Sequence, residues 1–161
     1  MQIRKAAPHD FDAILECYIY ARELMKQSGN PTQWGDHRPS EERIRKDIEE
    51  QMSYVVVEDD MICGVFAFMI GDEPTYQNIY EGTWKNADKY GVIHRIATNG
   101  KAHGIMQYIL SFCENQIHNI RIDTHADNKI MQHILVKSGY IKCGIIYVDD
   151  GTKRLAYQKC N

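Results

Sequence analysis

The sequence predicts an α+β fold in which a mixed β-sheet of about seven strands is flanked by helices on both faces, in α/β/α layers. The first half of the chain carries strand segments joined as a hairpin, and the second half alternates strand and helix. Antiparallel hairpins followed by β-α-β units produce a mixed sheet. The length of 161 residues and the hydrophobic content of 43% predict one globular domain over residues 1–161.

The chain begins with a predicted strand and two helices. Gln2–Lys5 forms the short strand. Asp10 is the predicted N-cap of the first helix, which carries apolar residues at helical spacing and ends at Gly29. Ser40 is the predicted N-cap of the second helix.

Two strand segments rich in Val, Ile and Phe follow. They cover Tyr54–Glu58 and Ile62–Ile70, and the pair Asp59 and Asp60 between them predicts a hairpin turn. The next segment, 71–89, is polar and aromatic without sustained periodicity. Long irregular connections in compact domains are often functional, so we expect this loop to contribute to a site.

The remaining elements alternate before a last hairpin. The predicted order is a strand at Val92–Ala97, a helix at Gly104–Asn115, a strand at Ile120–Thr124, a helix at Asn128–Lys137, and strands at Ile145–Val148 and Arg154–Gln158.

Composition excludes several classes of function. The net charge is −3 and the basic residues are scattered among acidic ones, which gives no nucleic-acid footprint. No apolar run approaches the length of a membrane span, so we expect no membrane partner. The five cysteines include no C-x-x-C pair, which predicts no metal site and favours a reduced, cytoplasmic setting.

The most informative segment is the strand, turn and helix over Tyr90–Gln107. Its turn contains Gly100 and Gly104, and small residues at a helix start let backbone N–H groups approach a phosphate. The glycines fit neither a P-loop nor a dinucleotide-binding fingerprint. The alternative is a tight connection that uses glycine for purely structural reasons.

This element order and two motifs resemble the GNAT superfamily of acetyl-CoA-dependent N-acyltransferases. The pyrophosphate loop of that superfamily, [Gln/Arg]-x-x-Gly-x-[Gly/Ala], is similar to K-x-x-G-x-M here. A second motif, Asn-x-x-Ala-x-x-Leu-Tyr-x-x-x-Gly-Phe, is similar to the segment from Asn128 to Tyr140. The loop positions that match are Lys101, Ala102, His103, Gly104, Ile105 and Met106.

The resemblance implies a fold, an activity and a set of contacts. It implies acetyl-CoA as the acyl donor, with the pantetheine arm entering a splayed gap beside the central strand. Main-chain groups of Ile96, Ala97 and Thr98 would pair with that arm, and Asn128 would hydrogen-bond it. The N–H groups of residues 102–106 would hold the pyrophosphate.

The chain departs from the superfamily pattern in two places. The motif usually carries a tyrosine that protonates the departing thiolate, and this chain has Leu135 there. Met106 replaces a small residue in the pyrophosphate loop. Two alternatives to an N-acetyltransferase therefore stay open: a catalytically weak acyl-CoA-binding or sensor protein, and an interaction protein that uses only the fold.

His94 is the first candidate for the catalytic base, because imidazole titrates near neutral pH and the superfamily often places its base on this strand. The alternative is a histidine that only packs the strand. Tyr140 and Tyr147 are candidates for the missing acid, with Tyr140 preferred. Asp123 and His125 could form a catalytic pair or hold a metal ion, but a capping or substrate-loop role is favoured. Cys143 is not favoured as a nucleophile, because it has no recognisable base partner.

The acceptor is expected to be an amine on a small molecule or a peptide, bound by the first helix–helix connection and the long loop. Aromatic side chains beside a carboxylate suit a cation. The alternative is that these aromatics pack the loop onto the sheet. A homodimer is possible by resemblance. The candidate acceptor-binding residues are Gln33, Trp34, Tyr80 and Glu81.

Overall fold

A computed structural model describes residues 1–160 and contains seven strands and four α-helices. The sheet has the strand order β1-β2-β3-β4-β5-β7-β6. The predicted mixed sheet with flanking helices is confirmed. The elements are β1 Gln2–Lys5, α1 Phe11–Gln27, α2 Glu41–Glu49, β2 Ser53–Glu58, β3 Met61–Ile70, β4 Gly91–Thr98, α3 Ile105–Gln116, β5 Asn119–Thr124, α4 Lys129–Lys137, β6 Ile141–Tyr147 and β7 Lys153–Cys160.

The first three strands form an antiparallel meander. β1 pairs with β2, and β2 pairs with β3 as far as the Glu58–Met61 register pair. Asp59 and Asp60 connect them with φ values of 52° and 64°, as a two-residue primed turn requires. The predicted hairpin turn is therefore confirmed.

The later strands supply the parallel component. β4 and β5 are parallel, with Gly91 opposite Ile120 and Val92 opposite Arg121. β5 pairs with β7 and β7 with β6, both antiparallel. The chain thus changes from a meander to a parallel crossover, which the alternation of strand and helix predicted.

The described chain divides into two compact units, and the division falls inside β4 and α3. The first unit contains 1–68 and 94–112, and its core joins α1 and α2 to β2 and β3 through residues such as Ile14, Ile44 and Val55. The second unit contains 69–93 and the chain from Cys113 onward, and its core includes Tyr76 and Ile146. The single domain over 1–161 stays a prediction.

The two helix starts were predicted with unequal success. Ser40 caps α2, since its hydroxyl accepts a hydrogen bond from the Arg43 amide at 3.1 Å. The predicted cap of α1 is wrong in its mechanism: a 3-10 turn at Pro8–Asp10 precedes the helix, and the Asp10 side chain makes no cap hydrogen bond. Asp10 instead accepts from the Ala7 amide and from the Arg4 guanidinium.

The last hairpin is longer than predicted. β6 begins at Ile141 rather than Ile145, and a register shift between Lys142 and Gly144 interrupts its pairing with β7. The bulge disrupts the alternation that identifies a strand in sequence, which explains the missed residues. Among residues 1–160, no helix combines the length and apolarity needed to span a membrane.

The Arg4–Asp10 pair predicts a pH-dependent contribution to stability. Arg4 donates to both oxygens of this buried carboxylate, at 2.7 and 3.0 Å, and thereby holds the pKa of Asp10 below its ordinary value. A pKa lowered by folding stabilises the protein above the unfolded value, about 3.9, and the contribution is lost as pH falls through the folded pKa.

We expect Asp10→Asn to lower the free energy of unfolding by about 1–3 kcal/mol at pH 7, measured by urea denaturation. The difference from the unsubstituted protein should shrink as pH falls below about 4. Asp36→Asn, which removes an exposed pair with Lys26, is the control and should have a small effect throughout. An undiminished difference at pH 3 would contradict the assignment.

Candidate functional site

The turn between β4 and α3 is held by one side chain and leaves its far end open. The side-chain Nδ2 of Asn99 donates to the Ile62 carbonyl at 3.0 Å, and the side-chain Oδ1 accepts from the backbone amide of Lys101 at 3.1 Å. Gly104 has φ of 73°, and a Cβ added there would meet nothing within 4 Å. Glycine is therefore required here by the backbone conformation, and the space beside it is open.

The amides at the start of α3 form the feature that suits a phosphate. Within residues 1–160, the N–H groups of Ala102 through Met106 donate to no protein acceptor, and the first bond of the helix joins the Tyr108 amide to the Gly104 carbonyl at 3.1 Å. Unpaired amides at a helix start carry partial positive charge. Lys101, exposed in the same turn, adds a full positive charge.

Tyr20 of α1 lies against this turn. A Cβ added at Gly100, where φ is 76°, would approach the Tyr20 hydroxyl to 2.4 Å. The glycine thus permits a close approach between α1 and the turn. This contact lies wholly in the first unit and fixes the side of the turn that faces α1.

The predicted residues of β4 lie directly before the turn. His94, Ile96 and Thr98 are half-buried, whereas Ala97 is buried. The resemblance gives the main chain of residues 96–98 the role of pairing with a pantetheine arm. These roles, and that of His94 as a base, stay predictions.

Sequence reasoning missed a cluster around Arg95, the residue after His94. Arg95 has φ of 53° inside a strand, its carbonyl accepts from the Tyr18 hydroxyl at 2.8 Å, and its guanidinium binds Asp47. One signal was available in the sequence. Asp47 lies between Ile44 and Ile48 on the apolar face of α2, where a charged residue needs a buried partner.

In the second unit, Asn128 caps α4. Its side-chain oxygen accepts from the Met131 amide at 3.0 Å. Its predicted contact with the donor arm stays a prediction. Leu135, which takes the position of the usual tyrosine, is fully buried at 0% exposure and packs as a core residue.

Tyr140 is buried and hydrogen-bonded to an acid. Its hydroxyl donates to Glu114 at 3.1 Å, and Lys159 binds the other oxygen of that carboxylate at 3.0 Å. Burial and the neighbouring Glu114 raise the pKa of Tyr140. The hydroxyl therefore stays protonated at neutral pH, which a general acid requires, but its raised pKa makes it a weaker proton donor.

Gln33 and Trp34 lie in the first unit, on the connection between α1 and α2. Gln33 is buried, and its side-chain oxygen accepts from the Asn30 side-chain Nδ2 at 2.8 Å. Trp34 packs edge-on against Tyr18, with ring centroids 5.6 Å apart. Their packing roles are therefore established, and their contact with an acceptor stays a prediction.

Tyr80 and Glu81 lie in the second unit, on the long loop. The Tyr80 main chain exchanges two hydrogen bonds with Ile145 of β6, each 2.8 Å. Its ring, half exposed at 50%, meets that of Tyr147 in an edge-on pair at 5.4 Å. Glu81 is exposed and has φ of 55°. An exposed carboxylate therefore comes directly after Tyr80 in the chain.

The less favoured candidates have other partners or unsuitable chemistry. Desolvation raises the pKa of the Cys143 thiol, although Lys85 and Arg121 oppose the shift. Asp123 accepts from the Tyr76 hydroxyl at 2.7 Å, whereas Nδ1 of His125 accepts from the Asp127 amide at 3.0 Å. Asp123 and His125 therefore each make a structural hydrogen bond, and His125 binds the main chain just before α4.

Solved structures, rather than family models or curated sequences, show what this chain is similar to. No protein-family model and no curated protein sequence matches the chain. A GNAT-family acetyltransferase from Streptococcus agalactiae is 36% identical, with a TM-score of 0.90, over 99% of this chain and 95% of that one.

More distant structures share the fold. A GNAT-family acetyltransferase from Listeria monocytogenes is 23% identical with a TM-score of 0.73, over 98% of this chain and 93% of that one. A NatC complex bound to a Gag peptide and CoA has a chain that is 13% identical with a TM-score of 0.64, over 100% of this chain and 99% of that one.

The identity to the streptococcal protein extends over nearly the whole length of both chains, and the fold and element order agree with it. The relationship supports acetyl transfer as the general activity. The chain belongs to the GNAT family of acetyltransferases.

Proposed function

We propose that the protein is an N-acetyltransferase that transfers the acetyl group of acetyl-CoA to a primary amine. The observation that carries the proposal is the row of open amides over residues 102–106 at the start of α3, in a chain of this family. Such a row, with Lys101 beside it, suits the pyrophosphate of a coenzyme A ester. The CoA-bound NatC complex, which has the same fold, is consistent with this donor.

The proposed reaction is direct attack in a ternary complex. The amine nitrogen forms a bond to the acetyl carbonyl carbon, and the bond from that carbon to sulfur breaks. The nitrogen loses one proton to His94, acting directly or through water, and the departing thiolate takes up a proton. Holding both substrates in one complex supplies the largest part of the acceleration, because it removes the entropic cost of their encounter.

Tyr140 is the proposed source of the thiolate's proton. Its raised pKa keeps the hydroxyl protonated, and Lys159 and Glu114 fix its direction. Leu135, at the motif position of the usual tyrosine, cannot supply the proton, and Tyr140 is the tyrosine that ends the same motif.

The acceptor is proposed to be a small molecule or peptide amine that carries positive charge. The exposed pair of Tyr80 and Tyr147 beside Glu81 supports this class, because aromatic faces and carboxylates both attract cations. Gln33 and Trp34 are the proposed acceptor contacts of the first unit. A homodimer in the cytoplasm is part of the proposal on family grounds alone.

A second function is supported by one observation. Leu135 is a buried aliphatic residue at the position of the usual acid, which is consistent with a protein that binds acyl-CoA and turns it over poorly. Binding of acetyl-CoA without release of free CoA in the presence of any amine would favour this binding or sensor role.

The first test concerns the donor. Acetyl-CoA should raise the melting temperature, by the equivalent of about 2.7 kcal/mol at one hundred times its Kd. Lys101→Glu should weaken binding by about 10-fold, since a charge-assisted contact becomes a repulsion. Lys142→Glu, which makes the same charge change at an exposed position of β6, is the control. If acetyl-CoA raised the melting temperature of both variants equally, the proposed contact between Lys101 and the phosphate would be contradicted.

The second test concerns the base. His94→Gln should lower kcat by about 10²- to 10⁴-fold, measured as release of CoA, and leave the Kd of acetyl-CoA unchanged. His118→Gln, an exposed histidine before β5, should retain full turnover. Tyr140→Phe in the same assay tests the acid. Normal turnover in His94→Gln would exclude His94 as the base and leave the family assignment intact.

The third test concerns the acceptor. Glu81→Gln should raise KM by about 2- to 5-fold for diamines and basic peptides, and by less for amines without a second charge. The KM of acetyl-CoA should not change. Glu49→Gln, which makes the same substitution at the exposed end of α2, is the control. A uniform effect on all amines would argue against charge recognition by Glu81.

A further inference from the structure

Arg95 adopts a backbone conformation that a strand disfavours. Its φ is 53°, in the left-handed region, although it lies in the middle of β4. The other non-glycine residues with positive φ in the described chain, Gln51, Asp59, Asp60 and Glu81, all lie in turns or loops. This conformation is unfavourable for a residue with a Cβ, so contacts with the surrounding residues must stabilise it.

The main chain of Arg95 is held from α1. Its carbonyl accepts a hydrogen bond from the Tyr18 hydroxyl at 2.8 Å, so this strand carbonyl is satisfied by a side chain of a helix. Tyr18 is 2% exposed, and burial raises its pKa, which keeps the hydroxyl a donor at all physiological pH values.

The side chain of Arg95 is held from α2. Nε and Nη2 donate to the two oxygens of Asp47 at 2.7 and 2.9 Å, in the planar two-bond geometry that guanidinium and carboxylate favour. The Asp47 carboxylate is buried, and Arg43 is its second cation at 3.5 Å. A buried carboxylate that loses its main partner is strongly destabilising, so this pair resists separation.

Two helices therefore hold the backbone and the side chain of one strained residue. We propose that Tyr18 and Asp47 are positioning residues that lock Arg95 in its left-handed conformation and thereby set the direction of β4 at His94 and at Ile96–Thr98. This inference rests on the proposed function for the roles of those neighbours. Trp34 packs on Tyr18, so the connection between α1 and α2, which carries the proposed acceptor contacts, also contacts one of the two positioning residues.

The central experiment compares Tyr18→Phe with Ile14→Val, a buried substitution one turn earlier on α1. Tyr18→Phe removes the hydrogen bond to Arg95 and keeps the ring. We expect its kcat to fall by at least 10-fold with a smaller change in the Kd of acetyl-CoA, because the amides of residues 102–106 lie on another segment. Ile14→Val should lose stability and keep its kcat. A kcat in Tyr18→Phe within 2-fold of that in Ile14→Val would overturn the proposal.

A second comparison measures the strain in Arg95 through thermal stability, without an activity assay. Arg95→Gly and Arg95→Ala both lose the contacts with Asp47, but only alanine retains the unfavourable conformation. The lock predicts a melting temperature about 2 °C or more higher for the glycine variant. Equal values, or a higher value for alanine, would show that the strand relaxes without the lock and would overturn the proposal.

Hydrogen exchange separates this inference from the proposed function. The amides of residues 94–98 should exchange faster in Tyr18→Phe and Asp47→Asn than in Ile14→Val. This holds even if the unsubstituted protein binds no acyl-CoA and releases no CoA, an outcome that would defeat the proposed function alone. Unchanged exchange over this segment would defeat the lock and leave the proposed function standing.

Discussion

The buried carboxylate of Asp47 needs a cation, and the guanidinium that supplies it belongs to a strained residue of β4. An unpaired carboxylate in this position would cost several kcal/mol. The left-handed conformation of Arg95 costs about 1–2 kcal/mol. The free energy lost by breaking the ion pair is therefore larger than the strain in Arg95. A movement of α2 away from this part of β4 would break the pair and leave the Asp47 carboxylate buried without its main partner.

Much of the fold could be predicted because it depends on local chemistry. The Ser40 cap needs only a hydroxyl three residues before an amide, and the turn at Asp59 and Asp60 needs only residues that tolerate positive φ. Asp10 looked equally local, but the Arg4 guanidinium competes successfully for its carboxylate. The early residues of β6 were missed because a bulge interrupts the pattern.

The candidate site was predictable only where the sequence marks it locally. The glycines at 100 and 104 and the helix that follows indicated the open turn. The lock on Arg95 joins residues 77 and 48 positions apart in the chain, and no periodicity or motif connects them. Its only sequence trace is the charge of Asp47 on an apolar helix face, which indicates that a partner exists without indicating which one.

Leu135 at the position of the usual acid is consistent with a binding protein, but it does not exclude an enzyme. A thiol of ordinary pKa, near 8.5, leaves as thiolate at pH 7 at a cost of about 2 kcal/mol relative to the thiol. Proximity and orientation in a ternary complex can contribute about 7–11 kcal/mol. In the proposed reaction, the step that Leu135 cannot assist is therefore the smaller one, and the geometry of β4, which would orient His94 and the residues after Arg95, would have the greater influence on the rate. For this reason we infer that the contacts of Tyr18 and Asp47 matter more to turnover than the identity of the side chain at position 135.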